Sequence, residues 1–149
     1  MSALKDQIRA DLKEAMKAKE KERTGTIRML LAAIQTAETE GSKHEVDDAE
    51  VQKIIAREIK KRRESADIYS TNGREELAAS ELAEAEILEG YQPKQLTDEE
   101  LSSLVDDILA ELDAHSMQQM GQVMKAATAR VAGRADGKRI SDAVRARLA

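Results

Sequence analysis

The chain has no cysteine, no phenylalanine and no tryptophan, and one proline and two tyrosines in 149 residues. Without cysteine there is no disulfide framework, no thiolate metal site and no cysteine nucleophile. With only Tyr69 and Tyr91 as aromatics, the core must be aliphatic. Stacking platforms of the kind that hold single-stranded nucleic acid are absent. A single proline is hard to reconcile with many strands or loops. No run approaches the ~18 consecutive apolar residues of a membrane span. Residues 1–23 are charged throughout, with no apolar signal core. These absences predict a cytoplasmic protein with no membrane association, no metal and no cofactor.

What is present is helix-forming. Charged residues make up 36% of the chain, and Ala, Leu, Glu, Lys and Arg dominate it. Apolar residues recur at helical spacing in seven stretches. Leu4, Ile8, Leu12, Ala15 and Met16 mark the first, with Ser2 as N-cap. Ile27, Leu30, Leu31 and Ile34 mark the second, with Thr24 or Thr26 at its start and Gly41 beyond its end. Asp47 and Glu50 form a capping box before Val51, Ile54, Ile55 and Ile59. Asn72-Gly73 closes that helix. Residues 74–89 carry a weaker stripe of Leu77, Leu82, Ile87 and Leu88, with the N-terminal half facing solvent.

Gly90-Tyr91-Gln92-Pro93 is the strongest break. It predicts a domain boundary, with 1–90 a four-helix part and 91–149 a three-helix part of an all-α protein. Thr97 and Glu100 then form a capping box ahead of Leu101, Leu104, Val105, Ile108 and Leu112. Ser116 and Gln119 form another, opening a helix with Met117, Met120, Val123, Met124 and Val131. The Met stripe reads first as core and second as a partner groove. Asp136 caps the last helix, with Ile140, Val144 and Leu148 along one side.

Residues 120–141 concentrate glycine and positive charge. Gly133 and Gly137 close a turn, Asp136 caps the next helix, and Gly121 inside a helix points to close helix approach. The string 133–138 falls one residue short of a P-loop and has Arg139 where Ser or Thr is needed, which excludes nucleotide binding. From 115 to 149 there are seven Lys or Arg against two Asp. Lys125, Arg130, Arg134, Lys138 and Arg139 are therefore candidates for phosphate contact with folded RNA. His44 and His115 lie apart, beside caps. No nucleophile, base or metal constellation stands out, so the sequence identifies no catalytic residue and no small-molecule substrate.

Four strings taken in order resemble the YqeY family. They are Ile27-Arg28-Met29-Leu30, then Gly73-Arg74-Glu75-Glu76-Leu77. The third is the run EILEGYQPKQL from Glu86 to Leu96. The fourth joins Met120-Gly121-Gln122-Val123-Met124-Lys125 to Gly133-Arg134-Ala135-Asp136-Gly137-Lys138. That family is similar to the tail of the B subunit of glutamyl/aspartyl-tRNA amidotransferase. The resemblance implies an all-α fold with a three-helix C-terminal part. It implies a stand-alone module that contacts tRNA or assists a tRNA-dependent amidotransferase, rather than an enzyme in its own right. A helical protein–protein adaptor is the alternative. Glutamine-dependent carbon–nitrogen ligase activity would belong to a larger complex, because the glutaminase and activation machinery is missing from this chain.

Overall fold

The computed structural model describes Ser2–Ala149. It holds seven α-helices and, among the described residues, no strand, which meets the all-α expectation. They are α1 Ala3–Lys17, α2 Lys21–Thr39, α3 Asp48–Thr71, α4 Glu75–Glu89, α5 Asp98–Leu112, α6 Met120–Val131 and α7 Gly137–Leu148. A short 3-10 turn, Met117–Gln119, precedes α6. The helices gather into two compact units, one ending at Gln92 and the other running Pro93–Ala149.

Several helix starts follow from one polar side chain each. Ser2 Oγ accepts from the Lys5 N–H at 3.0 Å and donates to Asp48. Asp47 accepts from the Glu50 N–H at 2.8 Å. Thr97 and Glu100 bond each other's backbone N–H at 3.1 and 3.0 Å. Each such cap contributes about 1 kcal/mol. The start of α2 departs from the sequence reading. It begins at Lys21, so neither Thr24 nor Thr26 is a cap. Thr26 is buried, and its hydroxyl donates to the Glu22 carbonyl one turn back at 2.9 Å.

The first unit closes around Ile8, Ile27, Leu30, Ile34, Ile55 and Leu88, all fully buried. Each such side chain contributes roughly 1.5–3 kcal/mol relative to exposure. The residues after α4 are fastened to this core. Tyr91 Oη donates to Asp11 of α1, and Gln52 of α3 donates to the Tyr91 carbonyl at 2.8 Å.

Beyond this core α3 and α4 continue as a thin arm. Between residues 60 and 84 only Arg62, Ala66 and Ala78 are buried. Arg62 is 4% exposed and is held between Glu58 at 3.1 Å and Glu84 of α4 at 3.3 Å. Of the expected α4 stripe Leu88 is fully buried and Leu77 and Ile87 half-buried, and the buried strip is completed by Ala78 and Ala85. Leu82 is 51% exposed, in the stretch of α3 and α4 where few side chains are buried.

The second unit packs Val105 and Ile108 of α5 against Val123, Ala127 and Val131 of α6 and Ile140, Val144 and Leu148 of α7. Met120 and Met124 pack against this core, whereas Met117 sits in the 3-10 turn and is 45% exposed.

Candidate nucleic-acid interface

The corner between α6 and α7 is built from its backbone outward. α6 ends where Ala132 and Gly133 both adopt the left-handed region, at φ 50° and 83°. That pair stops the helix; for alanine it is strained, for glycine it is not. A Cβ at Gly133 would meet the Pro93 ring at 3.7 Å, an ordinary contact. Arg134 then folds back, its Nε donating to the Val131 carbonyl at 2.9 Å and its Nη2 to the Arg130 carbonyl at 2.8 Å. A guanidinium there satisfies carbonyls that the helix end leaves open and complements the negative end of its dipole. Asp136 accepts from the Arg139 N–H at 2.8 Å and starts α7.

A clasp from the chain before α5 holds this corner. The Leu96 N–H donates to the Arg134 carbonyl at 2.8 Å, and Gln95 Nε2 to the Gly133 carbonyl at 3.1 Å. Arg139 answers from α7, donating to the Leu96 carbonyl at 2.7 Å and to Asp98 at 2.9 Å.

Two glycines are placed differently from their sequence readings or need little explanation. Gly121 lies in the first turn of α6 with open space where a Cβ would stand, so close helix approach does not explain it. Gly137 is the first residue of α7, also with open space.

The five candidate cations do not form one free set. Arg130 makes a two-pronged pair with Glu111 of α5, Nη1 to Oε1 at 3.1 Å and Nη2 to Oε2 at 2.6 Å. The hydrogen bond from Arg130 holds the Glu111 carboxyl below its usual range. Arg139 is tied to Asp98, and Arg134 to its own helix end. Arg147, outside the candidate set, pairs with Asp106 at 2.7 Å. The acidic helix α5 thus receives arginines from both other helices of its unit. From Pro93 to Ala149 there are eight Lys or Arg and nine Asp or Glu, so the unit as a whole is not basic.

Lys125 and Lys138 are exposed and, among the described residues, have no carboxylate partner. Arg145 shares that condition and was missed as a candidate. It stands seven residues from Lys138 on the outward side of α7, opposite Ile140 and Val144. A shallow open groove of about 590 Å³ runs along α5, with Arg130 and Arg134 facing Glu99, Glu100 and Asp107 across it. Among the described residues no three of His, Cys, Asp and Glu cluster as metal ligands. No helix there is long and apolar enough to cross a membrane. His44 and His115 pair with Glu50 and Asp113, at 2.8 and 2.7 Å.

The model of the Yqey-like protein family matches residues 5–148. Among curated relatives is altered inheritance of mitochondria protein 41 of Eremothecium gossypii, 34% identical over 107 residues, which cover 70% of this chain and 58% of the relative. The protein of the same name from Meyerozyma guilliermondii is 34% identical over 116 residues, covering 78% of this chain and 59% of the relative. The counterpart in Clavispora lusitaniae is 30% identical over 126 residues, covering 83% and 73%. The chain spans less than two thirds of the length of the first two relatives. All three are named as mitochondrial proteins, which overturns the cytoplasmic expectation. That expectation rested on the lack of an apolar signal core. Mitochondrial transit segments are amphipathic and arginine-rich, so such a criterion does not read them.

Proposed function

The chain belongs to the YqeY family, and from that premise we propose a non-catalytic module that contacts folded tRNA, or assists a tRNA-dependent amidotransferase, through its second unit. The division into a helical 1–90 and a tail-like three-helix 91–149 is part of this reading. The observation that supports it is a group of exposed cations on α6 and α7 that no carboxylate holds. Lys125, Lys138 and Arg145 are exposed and unpaired among the described residues. Two of the three are lysines, which act as mobile point charges suited to phosphate rather than to reading base edges. With no aromatic between Pro93 and Ala149, recognition falls to the shape and backbone of a folded RNA.

An electrophoretic shift with total tRNA over a salt series tests this. Retardation at low salt that fades as salt rises supports it. Free migration of the RNA at the lowest salt rejects it.

A second reading, a helical protein–protein adaptor, is favoured by the arm of α3 and α4, where Ile68 and Leu82 are 61% and 51% exposed. Neither reading assigns a chemical step to this chain. Carbon–nitrogen ligase chemistry would come from a larger complex in which it took part.

A further inference from the structure

α4 differs from the other helices of its unit in the sign of its charge. Between Glu75 and Glu89 there are six glutamates and no lysine or arginine, whereas α1, α2 and α3 each carry both signs. Three of the six have structural duties. Glu84 holds Arg62, Glu89 holds Arg63, and Glu75 accepts from the Ser70 hydroxyl at 2.9 Å. Glu76, Glu81 and Glu86 have no partner among the described residues.

Glu76 lies in the first turn, where the helix dipole favours an anion, but the other unpaired charges do nothing for α4 itself. Glu81 faces Glu84 and Glu86 faces Glu89 at i,i+3, an unfavourable spacing for like charges. Glu86 and Glu89 also stand in the last turn, where the helix dipole disfavours anions. Glu86, and Glu76 at i,i+3 from Ala79, border an apolar centre. Glu75, Ala79, Leu82 and Glu86 recur at i, i+4, i+7 and i+11 and so form one strip along the helix. In that strip Ala79 is exposed and Leu82 is 51% exposed. The strip lies on the thin arm, where only three residues between 60 and 84 are buried.

We infer that this strip of α4 docks a cationic amphipathic helix of a partner protein. The partner seats an apolar side chain on Leu82 and Ala79, with lysines or arginines on Glu76 and Glu86 at the two ends. Charge decides the occupant. Glu86 on the strip and Glu76 beside Ala79 are unpaired and α4 has no cation, so the strip disfavours a phosphate backbone. A neutral apolar partner would leave like charges unrelieved around the contact. A helix with anchors at i, i+3 or i+4 and i+7, and cations beside them, matches both the length of the strip and its sign. This surface lies in the first unit; it rests on the adaptor reading of the arm and does not depend on the RNA reading of the second unit.

The test is a titration of the full chain with a fluorescein-labelled synthetic helix carrying leucines at i, i+4 and i+7 flanked by lysines. Fluorescence anisotropy gives affinity, and amide chemical shifts locate the contact. Salt-sensitive binding with shifts confined to residues 75–89 is expected. Leu82→Ser, and the pair Glu76→Gln with Glu86→Gln, should each weaken binding by ~10-fold. All three positions are exposed, so circular dichroism should show an unchanged fold. Ile68→Ser, at an exposed apolar site on α3 outside the strip, should leave affinity unchanged.

The charge-matched control is Glu99→Gln with Asp107→Asn in α5. An equal loss there would mean attraction by net charge alone and would overturn the proposal. So would self-association of the free chain, seen by sedimentation and abolished by Leu82→Ser, because the occupant would then be a second copy. Displacement of the peptide from α4 by tRNA would overturn it as well.

Discussion

The Arg139 guanidinium donates to the Leu96 carbonyl at 2.7 Å, across 43 residues of sequence. It reinforces two bonds that join strings carrying the family resemblance, Leu96 N–H to the Arg134 carbonyl and Gln95 Nε2 to the Gly133 carbonyl, and Arg139 is the residue just after the second of those strings. Their shared feature is a clasp, in which the backbone before α5 grips the α6–α7 corner.

Arg139 is therefore expected to matter for stability. Arg139→Ala should lower the unfolding free energy by about 1 kcal/mol, the scale of one hydrogen bond with a charged donor that is partly screened. Lys138→Ala, one residue away and unpaired, should leave it within about 0.5 kcal/mol. Urea unfolding followed by circular dichroism separates the two.

Arg62 gives a sharper contrast. Arg62→Ala removes the charge that holds Glu58 and Glu84 together, and should destabilise by about 3 kcal/mol because two carboxylates are left partly buried and uncompensated. Arg62→Met combined with Glu58→Gln and Glu84→Gln should recover most of that loss. If the single alanine variant matches wild type in thermal unfolding, the ion cluster does not hold α3 to α4.

Tyr91 should resist ionisation. Burial first, and then its hydrogen bond to Asp11, pushes the phenol well above its ordinary 10.0. In a Tyr69→Phe background Tyr91 is the remaining tyrosine, so the ultraviolet phenolate band reports on it alone. Its midpoint should lie above 10, and a normal titration would contradict the buried contact. Tyr91→Phe should destabilise by about 1–3 kcal/mol, since it takes a donor from a carboxylate that is only 9% exposed.

Stability should also fall on acidification. The hydrogen bond from Lys5 holds Glu38 below its ordinary 4.5. The Ser2 hydroxyl does the same for Asp48, and the Thr97 cap for Glu100. A folded-state value below the unfolded one gives stabilisation that is complete above the unfolded value and is lost as pH falls through the folded value. The loss should thus begin near pH 4.5 and deepen below it. His44 runs the other way. Glu50 raises it above its ordinary 6.5, so its contribution is complete below pH 6.5 and fades as pH rises above that. Urea midpoints across pH, with Glu38→Gln and His44→Gln as controls, check both signs.

The parts of this fold that were legible in the sequence are those fixed by one or two neighbouring residues. Ser2, Asp47, Thr97 and Asp136 could be named as caps because a cap bonds a backbone N–H three residues on. Gly41, Gly73 and Gly133 could be named as stops because all three adopt positive φ. Contacts between helices were not legible. Seven cations against two acids in the last 35 residues looked like a basic surface. Yet Arg130 reaches back 19 residues to Glu111, and Arg139 and Arg147 reach back 41 to Asp98 and Asp106. Charge counted in a window cannot see pairing across helices. Leu82 was misplaced for a related reason. Its spacing suits a buried stripe, but it lies in the stretch of α3 and α4 where few side chains are buried. Arg145 and Arg147 are alike in sequence, and only the structure separates the paired arginine from the free one.

The most direct measurement is the salt dependence of tRNA affinity for two sets of variants. Alanine at Lys125, Lys138 and Arg145 removes unpaired cations, and each should flatten the slope of log affinity against log salt by ~1. Arg130→Ala, which removes a cation already paired with Glu111, should change the slope far less. Salt-dependent binding that is lost with the first set and kept with Arg130→Ala is the predicted result. A wild-type chain that fails to bind tRNA at low salt, or a slope that follows Arg130 and ignores Lys125, Lys138 and Arg145, would contradict the account.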